Sequence, residues 1–495
     1  MRDRWNRAER CFLPVLIAII AVGLTVPCHA QIYTTLVSFD GTNGANPYYG
    51  PLVQGRDGNL WGTTAGGTSG WGTIFKVTPA GVLTTMYNFC SQTSCADGYN
   101  PVAGLVLGRD GNFYGTTLMG GNEGCAFPQS CGVIFKITPK GVYTVLHTYI
   151  NTDLAAGPVG RLIQASNGTF YGDGGIDNGG MAVFKVTSAG TYTEIASWVL
   201  ATAGYPYGGV IQGTDGLLYG TTSIGGTGTC NDGCGTVFKI QTNGKKMVVL
   251  HSFNATDGVG PIAGLIQATD GYFYGATREG GSSLTNCQGN SGYSVCGTLF
   301  KISSGGAFTS LYSFCPETGC FDGSAPMGTP IQATDGNLYG TTYQGGALLG
   351  NGTIYQWNPT SQTYSTLYTF PGNDDTVAGL VQATNGKFYG TNFYGGNSPD
   401  CPYGCGAIFS FDMGLGPFVR PVTYSGKAGA TIEILGQGFN KSTTTVSFNG
   451  TAATRTVASG TYLTAKVPIG ATTGSITVTT GSTTLISDKI FTVLQ

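Results

Sequence analysis

The sequence predicts an all-β fold, a seven-bladed β-propeller followed by a small β-sandwich. Three observations lead there. Glycine accounts for 83 of 495 residues, while hydrophobic residues make up 41% and charged residues only 10%. A chain this apolar and aromatic can bury a core, which excludes disorder, and its glycines keep no three-residue period, which excludes collagen. One phrase, Asp/Asn-Gly, two residues, then aromatic-Gly, recurs seven times at spacings of 48 to 65 residues. Finally, the array begins with a strand-like run that its last repeat lacks.

The phrase occurs as Asp57-Gly58 with Trp61-Gly62, Asp110-Gly111 with Tyr114-Gly115, Asn167-Gly168 with Tyr171-Gly172, and Asp215-Gly216 with Tyr219-Gly220. It returns as Asp270-Gly271 with Tyr274-Gly275, Asp335-Gly336 with Tyr339-Gly340, and Asn385-Gly386 with Tyr389-Gly390. Each repeat holds four strand-like runs. Run B (Pro51 to Gln54, Gly264 to Gln267) precedes the Asp-Gly pair, and run C (Phe113 to Thr117, Leu338 to Thr342) follows it. Asp-Gly signals a two-residue hairpin, because both residues tolerate positive φ. Run D (Thr73 to Lys76, Val237 to Ile240) comes next. A Thr-Pro-x-Gly turn at 78–81 or 138–141 then leads to run A (Leu311 to Phe314, Leu367 to Phe370).

Four antiparallel strands repeated sevenfold read as propeller blades. Run A also appears at Leu36 to Phe39, ahead of the first B, and the seventh repeat stops after D at Ala407 to Ser410. The N-terminal run is expected to complete the seventh blade and so remove an open edge. A linear β-solenoid, the alternative, needs no borrowed strand.

Residues 1–30 read as a secretory signal. Arg2, Arg4, Arg7 and Arg10 precede an apolar core from Phe12 to Val26, and cleavage is expected after Ala30. The alternatives are an uncleaved anchor or a lipoprotein through Cys28. The remaining chain has 19 basic and 23 acidic side chains and no basic run, which excludes nucleic-acid binding. No membrane span is expected after signal removal, so the protein is placed outside the cell or in the envelope.

Twelve cysteines remain, in six close pairs: Cys90/Cys95, Cys125/Cys131, Cys230/Cys234, Cys287/Cys296, Cys315/Cys320 and Cys401/Cys405. An even count in an exported chain favours disulfides. Zinc is disfavoured, since His147 and His251 are the only histidines left and no CxxC spacing occurs. Strand alternation puts the B–C and D–A turns on one face and the A–B and C–D connections on the other. All six pairs fall in the second set, so one face carries long stapled loops, where binding tends to reside. The bland alternative is that the staples only stop long loops from fraying.

The phrase ceases after Pro417. Residues 418–495 show β-alternation and frequent turns, as expected of a small sandwich. Gly436-Gln437-Gly438-Phe439, Val446 to Gly450, Ala465 to Pro468 and Gly474 to Val478 resemble an IPT/TIG immunoglobulin-like domain. The repeats at about 32–412 resemble the GloVer tandem repeats of exported bacterial proteins, through Gly264 to Gly271, Leu338 to Thr342 and Gly297 to Lys301. That resemblance implies an envelope or secreted protein with a variable C-terminal module, and it brings no catalytic residues. The expected division is a signal at 1–30, a propeller at 31–413 and a sandwich at 418–495. The third repeat departs from the pattern, with Asp173 and Gly174 in place of Thr-Thr.

Candidate chemistry is sparse. His147 and His251 share the run-A position held by Tyr87, Tyr312 and Tyr368, so they read as strand residues and no Ser-His-Asp triad is expected. Most aspartates sit in the repeated turns, and Asp97, Asp257 and Asp322 recur before run B as turn formers. Asp173 is the weak catalytic candidate among acids outside the pattern. No calcium loop or phosphate loop occurs, and neither metal nor cofactor is expected. Trp71, Phe127, Tyr293 and Tyr403, in the C–D loops, are the ligand-binding candidates, because sugar rings present apolar C–H faces to aromatic rings. Loop-core packing is the structural alternative for these four. The leading reading is a non-catalytic binding or adhesion protein recognising an extracellular glycan, a peptide or a surface protein. The alternatives are a propeller hydrolase or lyase acting on polysaccharide, and a surface-layer component.

Overall fold

The computed structural model describes residues 31–67, 70–121, 132–150, 157–175, 180–198, 204, 206–282, 296–346, 350–372, 374–398, 401 and 404–494. The described residues are almost entirely β, with one 3-10 turn at Thr93–Cys95. From Ile32 to Asp412 they form seven four-stranded antiparallel sheets, arranged as propeller-like blades. In the first, Val53–Gln54, Leu60–Thr64, Thr73–Val77 and Leu83–Asn88 follow in sequence order. The N-terminal strand Ile32–Ser38 instead pairs with Ala407–Asp412, from Ile32 opposite Asp412 to Ser38 opposite Ala407. The last repeat thus gains its outer strand from the start of the chain, as expected.

Sheets packed on both faces bury their middle strands completely, so these strands read as continuous apolar runs. Leu60–Thr64 is buried at every position, and Thr73–Val77 at all but Lys76. The glycine of the aromatic-Gly phrase has a packing cause. A Cβ on Gly62 would lie 2.5 Å from the Phe75 ring, and one on Gly275 would lie 2.6 Å from Phe300. The next strand's ring therefore crosses directly over the glycine.

The B–C turn differs from the expected two-residue hairpin. Gly58 donates to the Gly55 carbonyl at 3.0 Å and Gly55 to Asn59 at 2.8 Å. Only Gly58 has positive φ, at 80°, so Arg56 and Asp57 are the central pair and Gly58 forms a bulge after them. Asp57 serves as an acceptor instead, taking the Asn59 amide at 3.2 Å.

One side chain ties sheet to sheet at this face. Gln164 Oε1 accepts from the Arg109 amide, Gln212 from Ser166, Gln267 from Thr214, Gln332 from Thr269 and Gln382 from Thr334, all at 2.8–3.1 Å. Gln54 closes the series by accepting from Thr384, so the first and last repeats meet. Leu107 stands at the remaining position, and there Arg56 donates to the Arg109 carbonyl at 2.6 Å.

The outer strands are coupled by stacked rings. Tyr87 lies on Tyr143 at 4.1 Å, His147 on Tyr192 at 3.9 Å, His251 on Phe308 at 3.8 Å and Tyr368 on Tyr33 at 4.4 Å. The aspartates before run B complete this coupling. Tyr87 donates to Asp97, Tyr312 to Asp322, and His251 Nε2 lies 3.1 Å from Asp257. Tyr143 of the next repeat donates to the Asp97 carbonyl at 2.7 Å.

Residues 419–494 build two further four-stranded sheets around one core that includes Ile434, Phe448, Leu463 and Ile476. This segment sits against the B–C turns. Arg56 meets Glu433 at 2.7 Å and lies over the Tyr462 ring, Thr461 donates to the Arg56 carbonyl, and Lys489 reaches the Gln267 carbonyl. The short connection after Met413 therefore brings the two parts into contact.

Candidate functional site

Opposite the turn face, which meets the C-terminal segment, the other face carries the long connections. Four cysteine pairs there are disulfide-linked: Cys90–Cys95, Cys230–Cys234, Cys315–Cys320 and Cys401–Cys405. Cys296 is also disulfide-bonded, while Cys125, Cys131 and Cys287 lie outside the described residues.

The inner strands approach one another closely. A Cβ on Gly104 would lie 2.7 Å from the Pro51 carbonyl oxygen, and one on Gly379 would lie 2.6 Å from that of Thr329. The residues that lead into these strands project at the loop end. Tyr49 of the first repeat contacts Tyr207 of the fourth, with ring centroids 6.4 Å apart. Those two sheets are not neighbours, so the contact spans the ring. Tyr48 packs on Tyr49 at 4.1 Å and on Phe393 at 5.0 Å, and Phe393 packs on Tyr394 at 4.5 Å. Five rings thus form one continuous wall, with Tyr48, Tyr49, Tyr207, Phe393 and Tyr394 all half-buried.

Two further residues, Arg278 and Tyr343, stand beside the wall. Arg278, Tyr343 and Phe393 each follow a buried second strand, at the position of Ala65, Leu118 and Ser223 in other repeats. Backbone bonds fix this position: Tyr343 donates to the Ala325 carbonyl at 3.0 Å and Phe393 to the Asp375 carbonyl at 2.7 Å. The Arg278 side chain is 46% exposed, with Nε 3.7 Å from Glu279. Burial, and then the nearby Asp375 carboxylate, push the Tyr343 hydroxyl up. Burial, and then the charge of Asp374, raise Asp375 to about 6. Asp374 faces elsewhere, toward Tyr33 and Tyr368, and accepts from the Gly396 amide at 3.4 Å. It lines a separate open cleft of about 510 Å³ with Thr35, Asn397 and Cys401.

Of the residues singled out in the sequence, Trp71 is 41% exposed and meets Tyr99 edge-on at 4.9 Å. Phe127, Tyr293 and Tyr403 lie outside the described residues. Asp173 is 0% exposed, and neither carboxylate oxygen has a hydrogen-bond partner. It replaces threonines that donate to the neighbouring repeat, as Thr63 does to Ala103 and Thr221 to Ala263, both at 3.1 Å. A carboxylate cannot donate, and burial raises its pKa to about 8. Among the described residues no group of three or more His, Cys, Asp or Glu side chains converges on a metal site. Sequence reasoning missed Tyr48, Tyr49, Tyr207, Tyr343 and Phe393, because none belongs to the recurring phrase.

The pattern of the Gloeobacter/Verrucomicrobia repeat matches residues 24–231 and 227–462. The chain belongs to the Gloeobacter/Verrucomicrobia repeat family. The family match extends past residue 412, into the C-terminal segment. No curated protein sequence matches this repeat protein.

Solved structures resemble it distantly. A fungal alcohol oxidase in complex with copper is 14% identical with a TM-score of 0.44, over 91% of this chain and all of that one. A Thermus thermophilus protein described as a glucose dehydrogenase is 12% identical with a TM-score of 0.39, over 77% of this chain and all of the other. TolB from Acinetobacter baumannii is 10% identical with a TM-score of 0.35, over 64% of this chain and 62% of that one. All three scores lie below 0.5, and no chemistry is carried over from them.

Proposed function

We propose that the chain is an exported binding protein that holds an extracellular glycan on its loop face without transforming it. In this reading residues 1–30 are a secretory signal, 31–413 a seven-bladed propeller and 418–495 an IPT/TIG-like domain. The observation that carries the reading is the aromatic contact of Tyr49 with Tyr207 across the ring. Half-buried tyrosines offer broad apolar faces with polar edges, a surface suited to sugar rings. The disulfides fit an oxidising compartment, and no described helix is long and apolar enough to cross a membrane.

The C-terminal segment meets the turn face at the first, fifth and seventh repeats, on the side away from the loop face. The test is a glycan and cell-wall array probed with the exported chain and with Tyr49→Ala, each hit being checked for product release. Saturable binding that Tyr49→Ala weakens, without product, supports the reading. Turnover of a bound glycan would replace it with an enzyme.

A further inference from the structure

We propose that the loop-face mouth selects a glycan bearing an unacetylated amino sugar, whose ammonium group sits on Asp375 beside Tyr343. The inference rests on the glycan-binding reading and names the ligand's chemistry.

Asp375 is the unusual acid of this face. Its carboxylate is half-buried and accepts no hydrogen bond from any described residue, and no described cation stands beside it. Other carboxylates of similar burial are satisfied: Asp257 by the Asn254 amide, Asp322 by Tyr312 and the Cys315 amide, Asp488 by Arg420 and Tyr424. A half-buried charge left without donors favours any ligand that supplies them. Arg278 is engaged with Glu279 and not with Asp375. Asp375 and Glu279 against one Arg278 leave this end of the ring negative, so an approaching cation is favoured.

The walls suit that cation. The Phe393 amide donates to the Asp375 carbonyl at 2.7 Å, which places Asp375 against the wall, and the charge of Asp375 acts on the Tyr343 hydroxyl together with Tyr394 and Tyr48. Aromatic faces attract ammonium groups. From there Tyr394, Phe393, Tyr48, Tyr49 and Tyr207 continue across the ring with centroid spacings of 4.5, 5.0, 4.1 and 6.4 Å. Five rings in series exceed what one lysine side chain could cover. An oligomer of rings with apolar faces matches their extent.

The experiment is calorimetric titration of the exported chain with a glucosamine oligomer and with the N-acetylated oligomer of the same length. The amine form should bind about tenfold tighter. Asp375→Asn should abolish that preference. The melting temperature of the variant verifies its fold, and Asp375→Ser serves as a second substitution. Equal affinities in the parent protein, or a preference that survives both substitutions, would overturn the proposal. If both oligomers bind equally and Tyr49→Ala weakens both, the amine is irrelevant and glycan binding stands. If only oligolysine binds, and binds through Asp375, the ligand is a peptide and both readings fail.

Discussion

The amide of Thr384 donates a 3.0 Å hydrogen bond to Oε1 of Gln54, across 330 residues of chain. The same side chain returns a bond from Nε2 to Thr384 Oγ1, also at 3.0 Å. This contact joins the last repeat to the first. Gln54→Leu keeps the volume but leaves the buried Thr384 amide without an acceptor, at a cost of about 1–3 kcal/mol. Denaturant unfolding should register that loss. Amides of Ile32–Ser38 should exchange faster, because that strand lies at the same seam.

Asp173 makes stability depend on pH. Its pKa is raised from the usual 3.8 to about 8 by burial, so the folded state holds a proton that the unfolded state releases. No penalty exists below the unfolded value. Stability then falls as pH rises from about 4 to about 8, by an amount on the order of 5 kcal/mol. Asp173→Asn should flatten that decline. Asp173→Thr should add the inter-repeat hydrogen bond made by Thr63 and Thr221. Melting temperatures from pH 4 to 9 check both. A parallel decline in parent and variants would count against this assignment.

Arg56 fastens the C-terminal segment. It contacts both Glu433 oxygens, the Arg109 carbonyl and the Tyr462 ring. Burial raises the Glu433 pKa, while Arg56 pulls it down. Arg56→Ala therefore strands a half-buried carboxylate, with a loss of about 1–2 kcal/mol at this seam. Limited proteolysis should cut faster between residues 413 and 418, while the seven sheets keep their far-ultraviolet signature. Asn or Gln at 433 should relieve part of the defect of Arg56→Ala.

The disulfides close very short loops, with cysteines four or five positions apart. Chain entropy gives each about 2 kcal/mol at most. Reduction should lower the melting temperature modestly and leave the sheets folded. Collapse of the β signal on reduction would show that the loops hold the sheets together.

The blades are legible in the sequence because Gly62 and Gly275 meet the same packing demand, a ring crossing from the next strand. The N-terminal strand is legible because the last repeat lacks one. The mouth is not. Tyr207 follows Pro206 where Val102 follows Pro101 and Ile262 follows Pro261, so no repetition marks it. Arg278 and Tyr343 likewise occupy a position where Ala65 and Leu118 stand elsewhere. Only ring closure brings the first and fourth repeats together. Arg56 and Glu433 are equally hidden, being 377 positions apart. The Asp-Gly turn misleads for a local reason: Asp57 is used as an acceptor, and glycine alone takes the left-handed conformation.

Hydrogen–deuterium exchange of the protein, with and without a glycan that it binds, tests the location of the site most directly. Protection should concentrate at 46–50, 206–208, 277–280, 342–345, 374–376 and 392–396, the segments that carry the aromatic wall and its charged neighbours. Protection confined to the segment around Trp71, or to residues 418–494, would contradict the account.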